Sequence, residues 1–214
     1  MKQTNAKNEF TLEIQSLAYG PYGIGRIANQ VLMVPATVPG DKINARVRDL
    51  KGNYAVGEML QLLEPSPARQ TAPCPYANDC GGCPWQQVRY ETQLKAKEQS
   101  VADALKRIGK LEGFELRPII ASPREYRYRR RVRLQCNPAQ GIGFYRAFSH
   151  DLVEIDDCLI ADSAINTAID PLRRWLNELD TTVEHVELVS SDDAQEIVAV
   201  GKVAGEFVPR DESL

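Results

Sequence analysis

Tyr19-Gly20-Pro21-Tyr22-Gly23-Ile24-Gly25, followed by Arg26 and the apolar run Val31 to Val34, is the stretch on which the fold turns. Three glycines in six residues resemble a nucleotide-binding loop, but such a loop leads from a strand into a helix. The residues after Arg26 are strand-like, so a turn between two strands is the better reading. Upstream, Phe10, Leu12 and Ile14 alternate with polar residues. Downstream, Val38-Pro39-Gly40-Asp41 makes another turn, after which Ile43, Ala45 and Val47 point one way and Lys42, Asn44, Arg46 and Arg48 the other. A last strand over Tyr54 to Leu63 is expected to place Tyr54, Val56, Glu58, Leu60 and Leu62 on one face, and Glu64-Pro65-Ser66-Pro67 ends it. Several short strands at this spacing predict a small OB-like barrel over residues 1–64.

Residues 65–73 read as a linker, and after them the period changes. Tyr90, Leu94, Val101, Leu105 and Ile108 follow a helical stripe, with Glu91 and Lys95 spaced i,i+4 and Gly109 placed as a stop. Strands follow over Tyr126 to Cys136, Ile142 to Arg146 and Leu152 to Ile155, then a helix from Ser163 to Leu179 that Pro171 should kink or split. Two more strands, Val183 to Val189 and Glu196 to Val203, complete a second domain over 74–214. Its mixed order favours α+β over a doubly wound sheet.

The 214 residues carry a formal net charge of -3, a sum that by itself argues against a polyanionic partner. The distribution says otherwise. Residues 1–70 hold 8 Lys or Arg against 6 Asp or Glu, residues 71–146 hold 14 against 7, and residues 147–214 hold 4 against 16. A basic middle and an acidic final third present separate surfaces, and only the local field steers a polyanion. No run reaches the roughly 18 apolar residues of a membrane span, and Met1-Lys2-Gln3-Thr4-Asn5 lacks the apolar core of a signal peptide. A cytoplasmic monomer with no membrane attachment is expected. Five cysteines, an odd number, then point to metal or redox chemistry rather than to disulfides.

Three of those thiols fall within ten residues, in Cys74-Pro-Tyr-Ala-Asn-Asp-Cys80-Gly-Gly-Cys83. The glycines and prolines let the backbone curl and aim the sulfurs at one point. A fourth ligand could come from Cys136 or Cys158. Cys136 shares a strand face with Val132 and Leu134, the usual place for a small buried thiol, whereas Cys158 follows Asp156-Asp157 in a loop and is favoured. A thioredoxin-like dithiol lacks the preceding βαβ pattern and would leave Cys74 over. Structural zinc suits four thiolates but is more often held by two close pairs. An iron-sulfur cubane suits three close ligands plus one remote, with zinc as the alternative.

The second signal is Arg124-Glu-Tyr-Arg127-Tyr-Arg129-Arg130-Arg131-Val-Arg133, six arginines in ten residues. On a strand, Arg127, Arg129, Arg131 and Arg133 would share one face, with Tyr126 and Tyr128 on the other. Phosphate is the anion such a row would attract. The bland reading is a solvated face paired with the chain's own acids, such as Glu154, Asp156 and Asp157. The interleaved tyrosines and the basic barrel face of Lys42, Arg46 and Arg48 favour RNA. His150, in a turn near the basic strand, could contact RNA or the cysteine loop. His185 reads as a surface histidine.

Together these parts resemble a known family. Ala18 to Arg26 with Val34-Pro-Ala-Thr-Val-Pro-Gly40 closely resembles a TRAM domain, a small RNA-binding barrel. Ser66-Pro67, then Cys74 to Gln86, then Tyr90 to Lys97 is similar to the iron-sulfur segment of the RNA uracil-C5 methyltransferases, the 23S rRNA type in particular. Tyr126-Arg127-Tyr128-Arg129, Gly143-Phe-Tyr145, Ser149-His150, Val153 and Cys158 resemble that family's central domain. The resemblance implies a [4Fe-4S] cluster on Cys74, Cys80, Cys83 and Cys158, leaves Cys136 unliganded, and makes 23S rRNA the partner. Gln87 departs from the family's frequent histidine. Family members continue into a Rossmann-like domain that binds S-adenosylmethionine and supplies the catalytic cysteine and a carboxylate base. Nothing after Val203 provides its glycine-rich strand-to-helix turn, so that domain is expected to be absent and no catalytic residue is assigned. The expectation is thus the RNA-recognition half of an S-adenosylmethionine-dependent methyltransferase, inactive by itself. The rival is a stand-alone RNA-binding or redox-sensing module.

Overall fold

In a computed structural model of the chain, the described residues are 8–18, 20–137, 141–193 and 196–213. Tyr19 and the first seven residues, on which parts of the turn and leader readings fall, lie outside them. The chain divides into two compact units, but not at a linear boundary. Residues 1–73 and 84–121 form one, and residues 74–83 and 122–214 the other. The cysteine loop therefore belongs with the C-terminal strands, while the helix after it groups with the barrel, a different partition from one split at 65–73.

The first unit holds β1 (Glu9–Leu17), β2 (Tyr22–Ile27), β3 (Gln30–Pro35), β4 (Lys42–Leu50) and β5 (Tyr54–Glu64). They close into a barrel in the order β1-β2-β3-β5-β4, with β3 and β5 parallel. Leu12, Ile14, Leu32, Val34, Ile43, Ala45 and Ala55 fill its interior. The glycine stretch is mostly strand rather than turn. Gly23 and Gly25 lie on β2 facing inward, where an added Cβ would stand 2.8 Å from Ile14 Cγ2 and 2.3 Å from Leu12 Cδ1 respectively. Close approach of two strands, not a nucleotide, sets these glycines.

The expected face of β5 is also corrected. Ala55 and Gly57 point inward, and Met59 packs on the core, while Leu60 is exposed. Ala45 pairs with Met59 but Ile43 pairs with Leu62, so two steps on β4 meet three on β5. That bulge returns Leu62 to the core. The large apolar residues misled because a narrow barrel takes small residues where its wall closes.

Asp41, fully buried, ties the barrel to the chain that leaves it. Its carboxylate accepts from the backbone N–H of Val38 at 2.7 Å and of Ser66 at 2.9 Å, and from Arg69 Nε at 3.1 Å. Arg69 Nη2 also donates to Ala36 O at 3.0 Å. Beyond it, α1 (Tyr90–Asp103) continues into a single π turn, Ala104–Ile108. None of its residues is fully buried: along the predicted apolar stripe Tyr90, Leu94 and Leu105 are half-buried while Val101 and Ile108 are exposed. The left-handed residue after the helix is Lys110, not Gly109.

In the second unit, β6 (Arg131–Cys136), β7 (Ile142–Tyr145), β8 (Leu152–Glu154), β9 (Val183–Ser190) and β10 (Ile197–Val203) form an antiparallel sheet in the order β10-β9-β6-β7-β8. One face is covered by α2 (Ser163–Glu178), which buries Ile165, Ile169, Leu172 and Leu176 against Val132, Leu134, Val186 and Leu188. Asp162 caps α2 by accepting from Ala164 N at 2.9 Å. The helix runs through Pro171 without a break. Pro171 lies on the exposed side, and four buried aliphatic side chains at about 1.5–3 kcal/mol each offset the lost backbone bond.

The arginine strand begins later than expected. β6 starts at Arg131, and Arg127 takes a left-handed φ of 55°. Residues 127–129 instead run beside the loop after Cys158, with Arg127 N donating to Leu159 O at 3.0 Å and Arg129 N to Ile160 O at 2.8 Å. Only Arg131 and Arg133 share a strand face.

Candidate functional site

The three-cysteine loop is docked on the end of β7. Gly81 N donates to Tyr145 O at 2.9 Å, Ala147 N donates to Asp79 O at 3.3 Å, and Asp79 pairs with the Arg146 guanidinium. Within the loop, Cys80 N donates to Tyr76 O at 2.8 Å, and the Gly82 N–H donates to Cys80 Sγ at 3.4 Å. Tyr76 reaches the second cysteine-bearing loop directly, since its hydroxyl accepts from Asp156 N at 3.1 Å.

Cys158 is fixed by its backbone. Asn166 on α2 accepts from Cys158 N at 2.7 Å and donates to Cys158 O at 3.1 Å, with further contacts to the carbonyls of Ala161 and Asp162 at 3.2 Å. Arg127 Nη1 donates to the same Cys158 carbonyl at 3.1 Å while its fork holds Asp157 at 2.8 and 3.0 Å. A bidentate guanidinium and a bidentate amide therefore aim one peptide. Asn166 and Tyr76 were missed from sequence. Tyr76 lies inside the cysteine loop, and Asn166 lies one turn into a helix that begins just after Cys158, so position alone marked them.

Cys80 lies within electrostatic reach of Cys83, Cys158 and Cys74, and Cys158 within reach of Cys74. Burial pushes the Cys80 thiol above its ordinary pKa, the Gly82 N–H lowers it, and Cys83, Cys158 and Cys74 raise it further. Cys158 is likewise raised by burial, lowered by the N–H groups of Ala161 and Ile160, raised by Cys74 and lowered by the Arg129 guanidinium. Cys136 stands apart. It packs against the sheet core, and burial alone pushes it to about 11. Among the described residues, no group of three or more His, Cys, Asp or Glu side chains is gathered closely enough to hold one metal ion.

The basic candidates are mostly spoken for. On the barrel, Lys42 pairs with Glu64 at 2.8 Å, Arg46 with Glu9 at 2.5 Å and Glu58 at 3.5 Å, and Arg48 with Glu58. On the sheet, Arg131 and Arg133 share Glu187, whose carboxyl they hold below the usual range, and Arg130 pairs with Asp192. Of the suspected acids, Asp157 alone pairs with the arginine run among the described residues, and Asp156 pairs with Arg173 at 3.0 Å. Arg129 differs: it is exposed, makes no ion pair among the described residues, and acts on Cys158. Tyr126 is raised by burial, with Glu125 and Cys83 adding to the shift, and Tyr128 is exposed. His150 stacks on Tyr145 with ring centroids 5.2 Å apart and planes at 22°.

Residues 8–60 match the TRAM domain model. The chain is 40% identical to an uncharacterised RNA methyltransferase of Thermosynechococcus vestitus over 168 residues, 77% of this chain and 37% of that protein. It is 30% identical to one of Halalkalibacterium halodurans over 98% of this chain and 49% of that protein. In fold it is similar to the tRNA (uracil-54, C5)-methyltransferase of Pyrococcus abyssi, at 23% identity and a TM-score of 0.66, covering 94% of this chain and 48% of that one. The chain carries a TRAM domain over residues 8–60, is similar over most of its length to RNA methyltransferases, and spans about half the length or less of the curated relatives it matches.

The expected absence of a methyltransferase domain is corrected by these alignments. The alignment to the Halalkalibacterium halodurans RNA methyltransferase runs through 98% of the chain, and the structural likeness to the Pyrococcus abyssi enzyme through 94%. No helix among the described residues is long and apolar enough to cross a membrane.

Proposed function

We propose that these residues recognise RNA for an S-adenosylmethionine-dependent methyltransferase that acts at C5 of uridine, with 23S rRNA as substrate, in the cytoplasm. Cys74, Cys80, Cys83 and Cys158 would hold a [4Fe-4S] cluster. The observation that supports this reading is that the two cysteine-bearing loops are tied to each other, Tyr76 Oη accepting from Asp156 N at 3.1 Å, in a chain similar to RNA methyltransferases. A cubane accepts each thiolate at a separate corner, which suits thiols that are near one another yet not drawn around a single ion. When bound, the group supplies four iron-thiolate bonds that join the two loops. The chain's own residues do the rest. Asn166 and Arg127 orient the Cys158 peptide, Tyr76 ties the loops together, and Arg129 offers an uncommitted guanidinium beside them.

RNA affinity measured against salt tests the reading. Arg129→Ala is expected to weaken binding of an rRNA fragment and to reduce the salt slope by about one. Arg131→Ala should have a smaller effect, because its guanidinium is already shared with Glu187. Wild-type affinity and slope in Arg129→Ala would contradict this placement of the RNA.

A further inference from the structure

The loop joining β7 to β8 presents three flat rings. Tyr145 ends β7 at 40% exposure and stacks on His150, and Phe148 at the loop's tip is 69% exposed. Phe148 also adopts a left-handed backbone, φ 61°. That conformation costs a bulky residue roughly 1–2 kcal/mol, so the position does not favour the aromatic residue that stands there.

The loop is rigidly built. Arg146 N donates to Asp151 O at 2.8 Å, Ser149 N to Arg146 O at 3.2 Å, and Asp151 N to Ser149 Oγ at 2.8 Å. Its base is clamped to the cysteine loop through the Arg146–Asp79 ion pair and the Gly81 and Ala147 backbone bonds described above. The two loops press together closely enough that a Cβ on Gly81 would stand 3.1 Å from Ala147 Cα.

We infer that this hairpin tip is a base-stacking platform for unpaired RNA nucleotides, with Phe148 as the ring that receives a nucleobase and the Tyr145–His150 stack as its neighbour. The inference rests on the RNA-binding reading above. Every base has a π-face, so a fixed aromatic ring binds single strands with little sequence preference, and each stacked base contributes about 1–3 kcal/mol. Paired bases are already stacked on each other and gain nothing from the ring.

The test uses the intact chain with a single-stranded oligoribonucleotide carrying 2-aminopurine and with an RNA duplex of equal length. Phe148→Asn removes the ring while suiting the left-handed backbone, so a loss of binding is not a loss of loop geometry. Single-strand affinity is expected to fall about 5- to 100-fold in Phe148→Asn, with an unchanged salt slope, unchanged duplex affinity and loss of 2-aminopurine quenching. Phe148→Trp should restore all three single-strand readouts. If the wild type binds both RNAs and Phe148→Asn binds the single strand as tightly, the platform is overturned and RNA binding stands. Equal weakening toward single strand and duplex also overturns it. If the wild type binds neither RNA, the RNA reading itself falls.

Discussion

Replacing Asp41 by alanine is expected to destabilise the barrel unit by about 3–5 kcal/mol, the usual cost of removing one partner from a buried ion pair. The carboxylate is fully buried and Arg69 is 19% exposed. Alanine would leave that guanidinium half paired and the N–H groups of Val38 and Ser66 without an acceptor. The two tryptophans let this be read by unit. Trp85 belongs to the barrel unit, where its Nε1 donates to Gly20 O at 2.8 Å, and Trp175 lies on α2. In a Trp175→Phe background, urea unfolding followed by Trp85 fluorescence should show a large drop in midpoint for Asp41→Ala and a smaller one for Asp41→Asn. An unchanged midpoint would mean the network is redundant.

Cys158→Ser is expected to strip most of the iron from the protein, while Cys136→Ser leaves it in place. The two thiols differ in surroundings rather than in exposure. Cys158 sits where Cys74 and Arg129 both act on it, its peptide gripped by Asn166 and Arg127. Both thiols pack on the sheet core, but Cys136 is shifted by burial alone. A serine oxygen is a poor ligand for iron and cannot replace the thiolate. Iron and acid-labile sulfide measured on anaerobically prepared variants check the pair. Equal loss in both, or loss in Cys136→Ser alone, would reassign the fourth ligand.

The barrel was legible because alternation survives in β1 and β4, where Leu12, Ile14, Ile43 and Ala45 all turn inward. It was misread in β2 and β5, where Gly23, Gly25, Ala55 and Gly57 line the interior, since a pattern of large apolar residues carries no signal when the wall is built from small ones. The cysteine clustering was visible in the sequence, and Cys158 was preferred to Cys136 because it lies in a loop rather than a strand, a choice that the iron measurement decides.

The arginine row was not legible as built. Its geometry depends on a left-handed Arg127 and on acids such as Glu187 and Asp192, brought in by pairing across the sheet from more than fifty positions away. Local sequence gives the charges but not who neutralises them. The same holds for Asp41 and Arg69, and for residues 84–121, whose grouping with the barrel unit no composition shift announced.

Metal analysis of the unaltered chain, purified without air, tests the central claim most directly. Four thiolates from two loops predict a brown protein with about four irons and four sulfides per chain. A colourless protein carrying a single zinc ion, or no metal at all after reconstitution with iron and sulfide, would contradict it.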